Sequence, residues 1–598
     1  MLRNLINSRK MNPPKSVGVK GSDVYASTGD ARVDLSTSLV RGLDAESIKS
    51  GLNAIFAMGT DEAFEDAFVL AFQTRNVRGG KGERALTQEM LKHLLEVQPE
   101  LTRDAMLDLV PHYGCWRDLF VLAEDEKVPM PVKEKIWHIT AVQLQTDAAK
   151  PEGESISLCA KWAPREDKHP QQAKAIAKML FPEIGKLSDR LKTYRKLVAG
   201  LNRRLDTAEV KMCGRDWEHI SPEKVPGRNL HIHRRAFLNE VAPKKKGEHV
   251  LTGSLRHPDD KDRMACREHF VEFFAKAARG EVKVKGADTL YPHEVIARVL
   301  VQINSEGHHY GGWDGEYGYE GEDDHGSSLA AAGGGGASSS EKDLLVGQWR
   351  AFVEKAREGG ALKNCLAMCD FSGSMDGLPK LICTALGLLV AEVNGTNKIL
   401  TFDSDPRWHQ FPEGDVFEKV RSIGGQLGQG LSTDFQKAME LVLSDIKARR
   451  IRPEDLPKDL IVFTDMGWDQ ACGSSQQGYY TGHSYRHAVK TAPWQTHLEM
   501  IRESFRRAGE DMWGVPFEPP RIVVWNLRAE YKDYHATADQ EGVVMLSGWS
   551  PALFKVLQEK GVEIATPLDA LRALLDDPMY DQVREKIREW RRDSERLL

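Results

Sequence analysis

Asn364-Cys365-Leu366-Ala367-Met368-Cys369-Asp370-Phe371-Ser372-Gly373-Ser374-Met375 joins an apolar run to an Asp-x-Ser-x-Ser turn. The run has the length and composition of a buried strand, and the turn sets one carboxylate and two hydroxyls at its end. Hard oxygen donors of this kind suit Mg²⁺ or another divalent cation. Two later segments bear on the same point. Gly430-Leu431-Ser432-Thr433-Asp434-Phe435 opens a helical pattern carried by Phe435, Met439 and Leu443, and Asp459-Leu460-Ile461-Val462-Phe463-Thr464-Asp465 is a second apolar run ending in an acid. Strand ends of a parallel sheet share one edge, so Asp370, Ser372, Ser374, Thr433 and Asp465 are expected to converge there as a metal site. Asp370 and the two serines also have the chemistry to cap a helix beginning near Gly377, and that simpler reading stays open.

Short apolar runs recur at 398–402, 521–526, 542–546 and 561–565, with helical patterns at 378–393, 435–448 and 551–559. Strand and helix in alternation predict a doubly wound parallel α/β sheet within 344–598, interrupted by an insertion near 468–519 and followed by C-terminal helices. In order and residue type, the five candidate ligands resemble the metal-ion-dependent adhesion site (MIDAS) of the von Willebrand factor A family. The resemblance implies that the serines and threonine ligate Mg²⁺ directly and that the acids act largely through water. It also implies that a partner protein supplies an Asp or Glu to the last position.

At 598 residues and 41% hydrophobic content the chain has material for about four domains with cores. No apolar run approaches the roughly 18 residues of a membrane span, so no membrane association is expected. The first twenty residues are basic and polar, which reads as a loose arm within 1–39. Eight cysteines stand singly, without Cys-x-x-Cys pairs, and a reducing cytoplasm is the expected compartment. The formal net charge is −6, but the charge is uneven: 151–250 holds 21 Lys and Arg against 13 Asp and Glu, while 306–325 holds seven acids and no Lys or Arg. A basic region binds phosphate even when the whole chain is acidic, although a solvated helical surface has the same composition. The acidic stretch passes into Ala-Ala-Ala-Gly-Gly-Gly-Gly-Ala-Ser-Ser-Ser, and 306–343 reads as a linker.

Between 40 and 305 the pattern is helical throughout, at 63–72, 84–96, 102–110, 131–145, 170–180, 187–205, 231–241 and 262–278. Stacked helical hairpins, an irregular HEAT-like α-solenoid, are the expected architecture. Gln73-Thr74-Arg75-Asn76-Val77-Arg78-Gly79-Gly80-Lys81-Gly82-Glu83-Arg84 sets four cations around three glycines before a helix, a chemistry suited to phosphate or another anion. It lacks the pattern of a nucleotide-hydrolysing loop, and an inter-helix turn with Arg84 paired to an acid fits equally well. Some thirty residues on, Tyr113-Gly114-Cys115-Trp116-Arg117-Asp118-Leu119 offers Asp118 as a partner for an arginine.

These two clusters together resemble the TROVE module of the Ro autoantigen, telomerase and vault proteins. In Ro proteins a helical-repeat ring precedes a von Willebrand A domain, the order seen in this chain. The sequence is also similar to the uncharacterised DUF2828-type proteins, through 370–375, Trp525-Asn526-Leu527-Arg528 and Val544-Met545-Leu546-Ser547-Gly548-Trp549-Ser550. The Ro resemblance implies binding of small noncoding or misfolded RNA within a ribonucleoprotein. Arg75, Arg78, Lys81 and Arg84, with Lys192, Arg195, Lys196, Arg203 and Arg204, are the candidate phosphate-binding residues, and Trp162 and Tyr194 the candidate base-stacking residues. Two other readings stand beside it: a Mg²⁺-dependent protein-interaction scaffold without RNA and, more remotely, a metal-dependent hydrolase. No Ser/His/Asp order, His-Glu-x-x-His run or nucleotide-binding glycine loop is present, so an enzyme is not expected.

Overall fold

The computed structural model describes residues 13, 15–17, 23–242, 251–285, 290–305, 338–360, 362–402, 406–423, 435–467, 494–530, 534–557 and 564–597. Thr433, most of the linker and residues 468–493 of the insertion lie outside them.

The N-terminal part opens with a small hairpin, β1 (Lys15–Val17) and β2 (Asp23–Tyr25), and then becomes helical. Helix α1 (Ala31–Ser38) is capped by Asp30, whose side chain accepts the Arg32 amide, and α2 (Asp61–Arg75) by Thr60. Helix α2 is buried on nearly every face, which makes it the centre of the first core. Helices α3 (Arg84–Val97) and α4 (Trp116–Glu124) join that core. The helical pattern at 102–110 breaks into a π turn (Thr102–Met106) and a 3₁₀ turn (Leu107–Leu109), where the Val110 amide donates to the Leu107 carbonyl, to which Pro111, without an N–H, cannot donate. The arc continues through Met130–Ala149, Pro170–Leu180 and α5 (Leu187–Leu205), which share a second core, and through Gly227–Phe237 and Lys261–Arg279, which share a third.

The arc does not end at residue 305. Helix α6 (Pro292–Ser305), assigned by sequence to the N-terminal module, buries Val295, Ile296, Val299 and Ile303 in the core of the α/β domain. Helix α7 (Ser339–Gly359) bridges the two parts, with Leu344 in the third helical core and Leu345, Trp349 and Phe352 in that of the sheet.

The sheet contains β3 (Cys365–Asp370), β4 (Lys398–Phe402), β5 (Trp408–Gln410), β6 (Asp459–Thr464), β7 (Arg521–Asn526) and β8 (Val543–Ser547). Their order is β5-β4-β3-β6-β7-β8, parallel except for the edge strand β5. Chain order therefore runs outward from β3 in one direction and from β6 in the other, and the edge between these two strands is the switch point where open α/β sheets bind ligands. Alternate residues pack on opposite faces. Ala367, Cys369, Ile461 and Phe463 meet α8 (Leu378–Val393) and α6, while Met368, Leu460 and Val462 meet α9 (Phe435–Arg449). The helix Trp494–Trp513 within the predicted insertion joins that second face through Phe505 and Ala508. The strand expected at 561–565 is absent where described: Ile564 and Ala565 are irregular, and β5, too short to show a period, is the sixth strand.

Helix α10 (Pro567–Leu575) and helix α11 (Asp581–Leu597) return to the N-terminal core, where Leu571, Leu575, Tyr580, Val583 and Ile587 pack with residues of α1 and α2. The buried Asp66 carboxylate on α2 meets Arg32 at 2.9 Å, Arg572 at 2.7 Å and Arg584 at 2.8 Å. The α/β domain thus bridges both ends of the helical arc. The expected N-terminal arm is likewise docked from Asp23 onward: Tyr25 bridges to Tyr534, and α1 lies against the ends of β7 and β8.

Candidate functional site

At the switch point β3 ends in Asp370 and β6 is followed at once by Asp465, both fully buried. Asp370 Oδ1 accepts the Ser372 amide at 2.9 Å, and Oδ2 accepts the Thr464 hydroxyl at 2.9 Å. Asp465 Oδ1 accepts the Gly467 amide at 2.9 Å, across Met466 in the left-handed region at φ 72°, and His535 Nε2 donates to the Met466 carbonyl at 2.8 Å. Burial pushes the His535 imidazole down to about 4, so it sits there neutral. The Ser372 and Ser374 hydroxyls are 3.1 Å apart on one turn.

This loop fits a hard divalent cation. Asp465 Oδ2 is buried without a hydrogen-bond partner, and neither carboxylate forms an ion pair among the described residues. Burial, and then the charge of Asp465, push the Asp370 carboxyl up to about 7 against the hydrogen bonds it accepts. Two acids in one buried space lack a compensating charge, and a cation supplies it. Oxygens on adjacent vertices of an octahedron around Mg²⁺ lie about 2.9 Å apart, close to the serine separation. Among the described residues no three His, Cys, Asp or Glu cluster, so a cation at this loop would need the serine hydroxyls as donors. Asp370, Ser372, Ser374 and Asp465 are brought to one edge; Thr433 lies outside the described residues. The serines cap neither the short turn Gly373–Met375 nor α8, which begins after Gly377 at φ 92°: neither start carries a side-chain cap hydrogen bond.

The glycine-rich cluster before α3 does other work than the sequence suggests. Lys81 is 1% exposed, and its ammonium donates to the Ser36 carbonyl at 2.6 Å, the Leu39 carbonyl at 3.0 Å and the Ser547 hydroxyl at 2.5 Å. Ser547 itself donates to Ser36, so all three ammonium hydrogens are committed. Lys81 therefore offers nothing to a phosphate; it closes the carbonyl end of α1 onto β8, and burial pulls its amine down to about 7 against the charge of Glu83. Gly80 is required because a Cβ there would lie 2.0 Å from the Gln73 carbonyl oxygen. Arg75 and Arg84 both bind Asp118, at 2.6 and 2.7 Å, so Asp118 is an arginine partner twice over. Burial works to raise the Asp118 carboxyl, but the two guanidiniums hold it below the usual range.

These arginines edge a cleft of about 1660 Å³ between the helical arc and the α/β domain. Its walls carry 13 Lys and Arg against four Asp and Glu. Of the sequence candidates, Arg75, Arg78, Arg84, Arg195 and Arg203 line it. Lys192 and Lys196 are exposed on α5 but stand outside it, and Arg204 instead holds the Asp147 and Pro151 carbonyls. Sequence reasoning missed Arg41, Arg117, Lys161, Arg165, Lys168, Arg228, Lys355 and Lys555. They come from separate segments, and only the charge excess over 151–250 pointed toward some of them. Trp162 is half-buried on the wall, with Arg117 and Lys161 at 5.9 and 5.7 Å from its ring. Tyr194 is buried, its hydroxyl donating to the Pro164 carbonyl at 2.9 Å, which makes it a packing residue.

Residues 364–589 match the model of a family described as a domain of unknown function, DUF7788. The matched span runs from just before β3 into α11, so α10 and the part of α11 that carries Val583 and Ile587 fall within it. Across 587 residues, 94% of this chain and 87% of the relative, the chain is 26% identical to an uncharacterized protein, L728, of Acanthamoeba polyphaga mimivirus. No helix among the described residues is long and apolar enough to cross a membrane.

Proposed function

We propose that this protein binds RNA in the cleft, as a component of a ribonucleoprotein, and captures a carboxylate-bearing protein through a divalent cation at the Asp370 loop. The observation that carries the RNA reading is the row of exposed cations Arg78, Arg165, Lys168 and Arg203 along one cleft beside the half-buried Trp162; of the 13 basic residues lining it, Arg41, Arg75, Arg84, Lys161, Arg195, Arg228 and Lys555 are already ion-paired. A polyanion gains from such a wall through counterion release, and an aromatic ring adds a stacking surface for an unpaired base. The helical arc followed by a doubly wound domain agrees with the Ro-like resemblance and with a von Willebrand A-type site at the switch point. Arg165, Lys168 and Arg203 are exposed cations of the wall, so replacing all three with Ala tests the reading without disturbing a core. In filter binding of a structured RNA with a single-stranded end, the triple variant is expected to bind more weakly. Its salt slope should flatten by about 0.7 for each single-strand phosphate that is no longer neutralised. An unchanged slope and affinity overturn the RNA reading.

A second reading, a protein-interaction scaffold without RNA, is favoured by the uncompensated Asp370 and Asp465 pair with its orphaned oxygen. The two readings separate on one variant. Asp370→Ala should abolish Mg²⁺-dependent partner capture and leave RNA affinity intact; capture that persists in the variant and in chelator removes the metal from the account.

A further inference from the structure

We infer that Arg528 is a specificity-determining residue of the candidate metal site, a second anchor that selects a carboxylate as the captured group; this rests on the metal-site reading above. Arg528 stands two residues beyond β7, on a turn fixed from three sides. The Leu527 amide donates to the Thr464 carbonyl at 2.9 Å, the Arg528 amide to Asn526 Oδ1 at 3.0 Å, and Trp549 Nε1 to the Leu527 carbonyl at 3.1 Å. From that turn the guanidinium crosses the sheet edge and donates to the main-chain carbonyl of Ser374, so it is tied to the loop that carries the hydroxyl donors. Its other arm holds Glu530 at 2.6 Å, with the two side chains 37% and 48% exposed.

A carboxylate that gives one oxygen to a metal has a second oxygen left over. A planar guanidinium fixed alongside is matched to that oxygen in shape and charge. Glu530 already shows that this seat takes a carboxylate. A half-exposed pair of this kind is weakly held, so Glu530 yields to a ligand that also reaches the cation. The inner acids do not compete for Arg528, because Asp370 and Asp465 are fully buried and their hydrogen bonds run to Ser372, Thr464 and Gly467.

The test uses the full-length protein with Mn²⁺ as the metal probe, its affinity read by paramagnetic resonance with and without glutarate, and with inorganic phosphate as the alternative anion. Glutarate is expected to tighten Mn²⁺ binding about fivefold or more, an ordinary coupling between two sites. Arg528→Gln should lose the glutarate effect, read as the ratio of Mn²⁺ affinities with and without glutarate and so independent of any change in the affinity without it. Glu530→Gln, which removes the internal competitor at the surface, should enlarge that effect. A glutarate effect that survives Arg528→Gln, or one that phosphate produces and glutarate does not, overturns the inference. If Arg528→Gln does not fold, Glu530→Gln decides, and an unchanged glutarate effect there overturns it. Failure of the native protein to bind Mn²⁺ overturns the metal-site reading itself and takes this inference with it.

Discussion

Lys81 shows how one residue type in one motif serves two incompatible ends. A cation among glycines before a helix is what an anion-binding loop looks like, and it is also what a packed junction looks like. The difference lies in Ser547, 466 residues away, which no local pattern contains. Lys81→Ala should therefore cost about 2–4 kcal/mol of stability, because charged hydrogen bonds in a buried site go unmade, seen as a lower midpoint in urea. Arg78→Ala, at an exposed position, should change the stability by no more than about 0.5 kcal/mol. The salt slope of RNA binding should be unaffected by Lys81→Ala. The Asp370 turn was legible for the opposite reason: strand, carboxylate and serines all lie within a dozen residues. Its partner Asp465 followed from the rule that parallel strands end on one edge; Asp118 was legible as a partner for an arginine, but not as the partner of two.

Among the elements, α2 is the most constrained, because it meets the N-terminal helices on one side and the last two helices of the chain on the other. Asp66 concentrates that constraint, at 1% side-chain exposure with three arginines from α1, α10 and α11. Removing a carboxylate from such a cluster strands buried positive charge, so Asp66→Ala should cost about 3–5 kcal/mol in chemical denaturation. Glu62→Ala, where the side chain is 60% exposed, removes pairs worth less than about 1 kcal/mol. Equal effects at the two positions would show that the cluster is not a unit. Helices with long apolar stripes were readable from sequence almost to the residue, as Pro170–Leu180, α5 and α8 show. What each helix packs against was not. A period fixes which face is buried and says nothing of its partner, so α6 was assigned to the wrong side of the boundary.

For the molecule as a whole, the two parts exchange elements: α6 completes the core of the sheet, while α10 and α11 complete the core of the first helices. Cutting the chain between 305 and 338 should therefore release nothing. After limited proteolysis confined to that stretch, both fragments should co-elute at the size of the intact protein, and separation without denaturant would show that the shared cores do not hold the parts together. The cleft belongs to this scale too, which is why its basic lining, drawn from many segments, could not be read from any one of them. The same exchange of elements sets a timetable for synthesis. The core begun by residues 33–136 gains Tyr580, Val583 and Ile587 only about 440 residues later. At about 5–20 residues per second, a ribosome needs roughly 20–90 s to travel that distance. Throughout this interval the apolar surface that those residues cover is open, so a product truncated before α11 should expose it to chaperones and proteases.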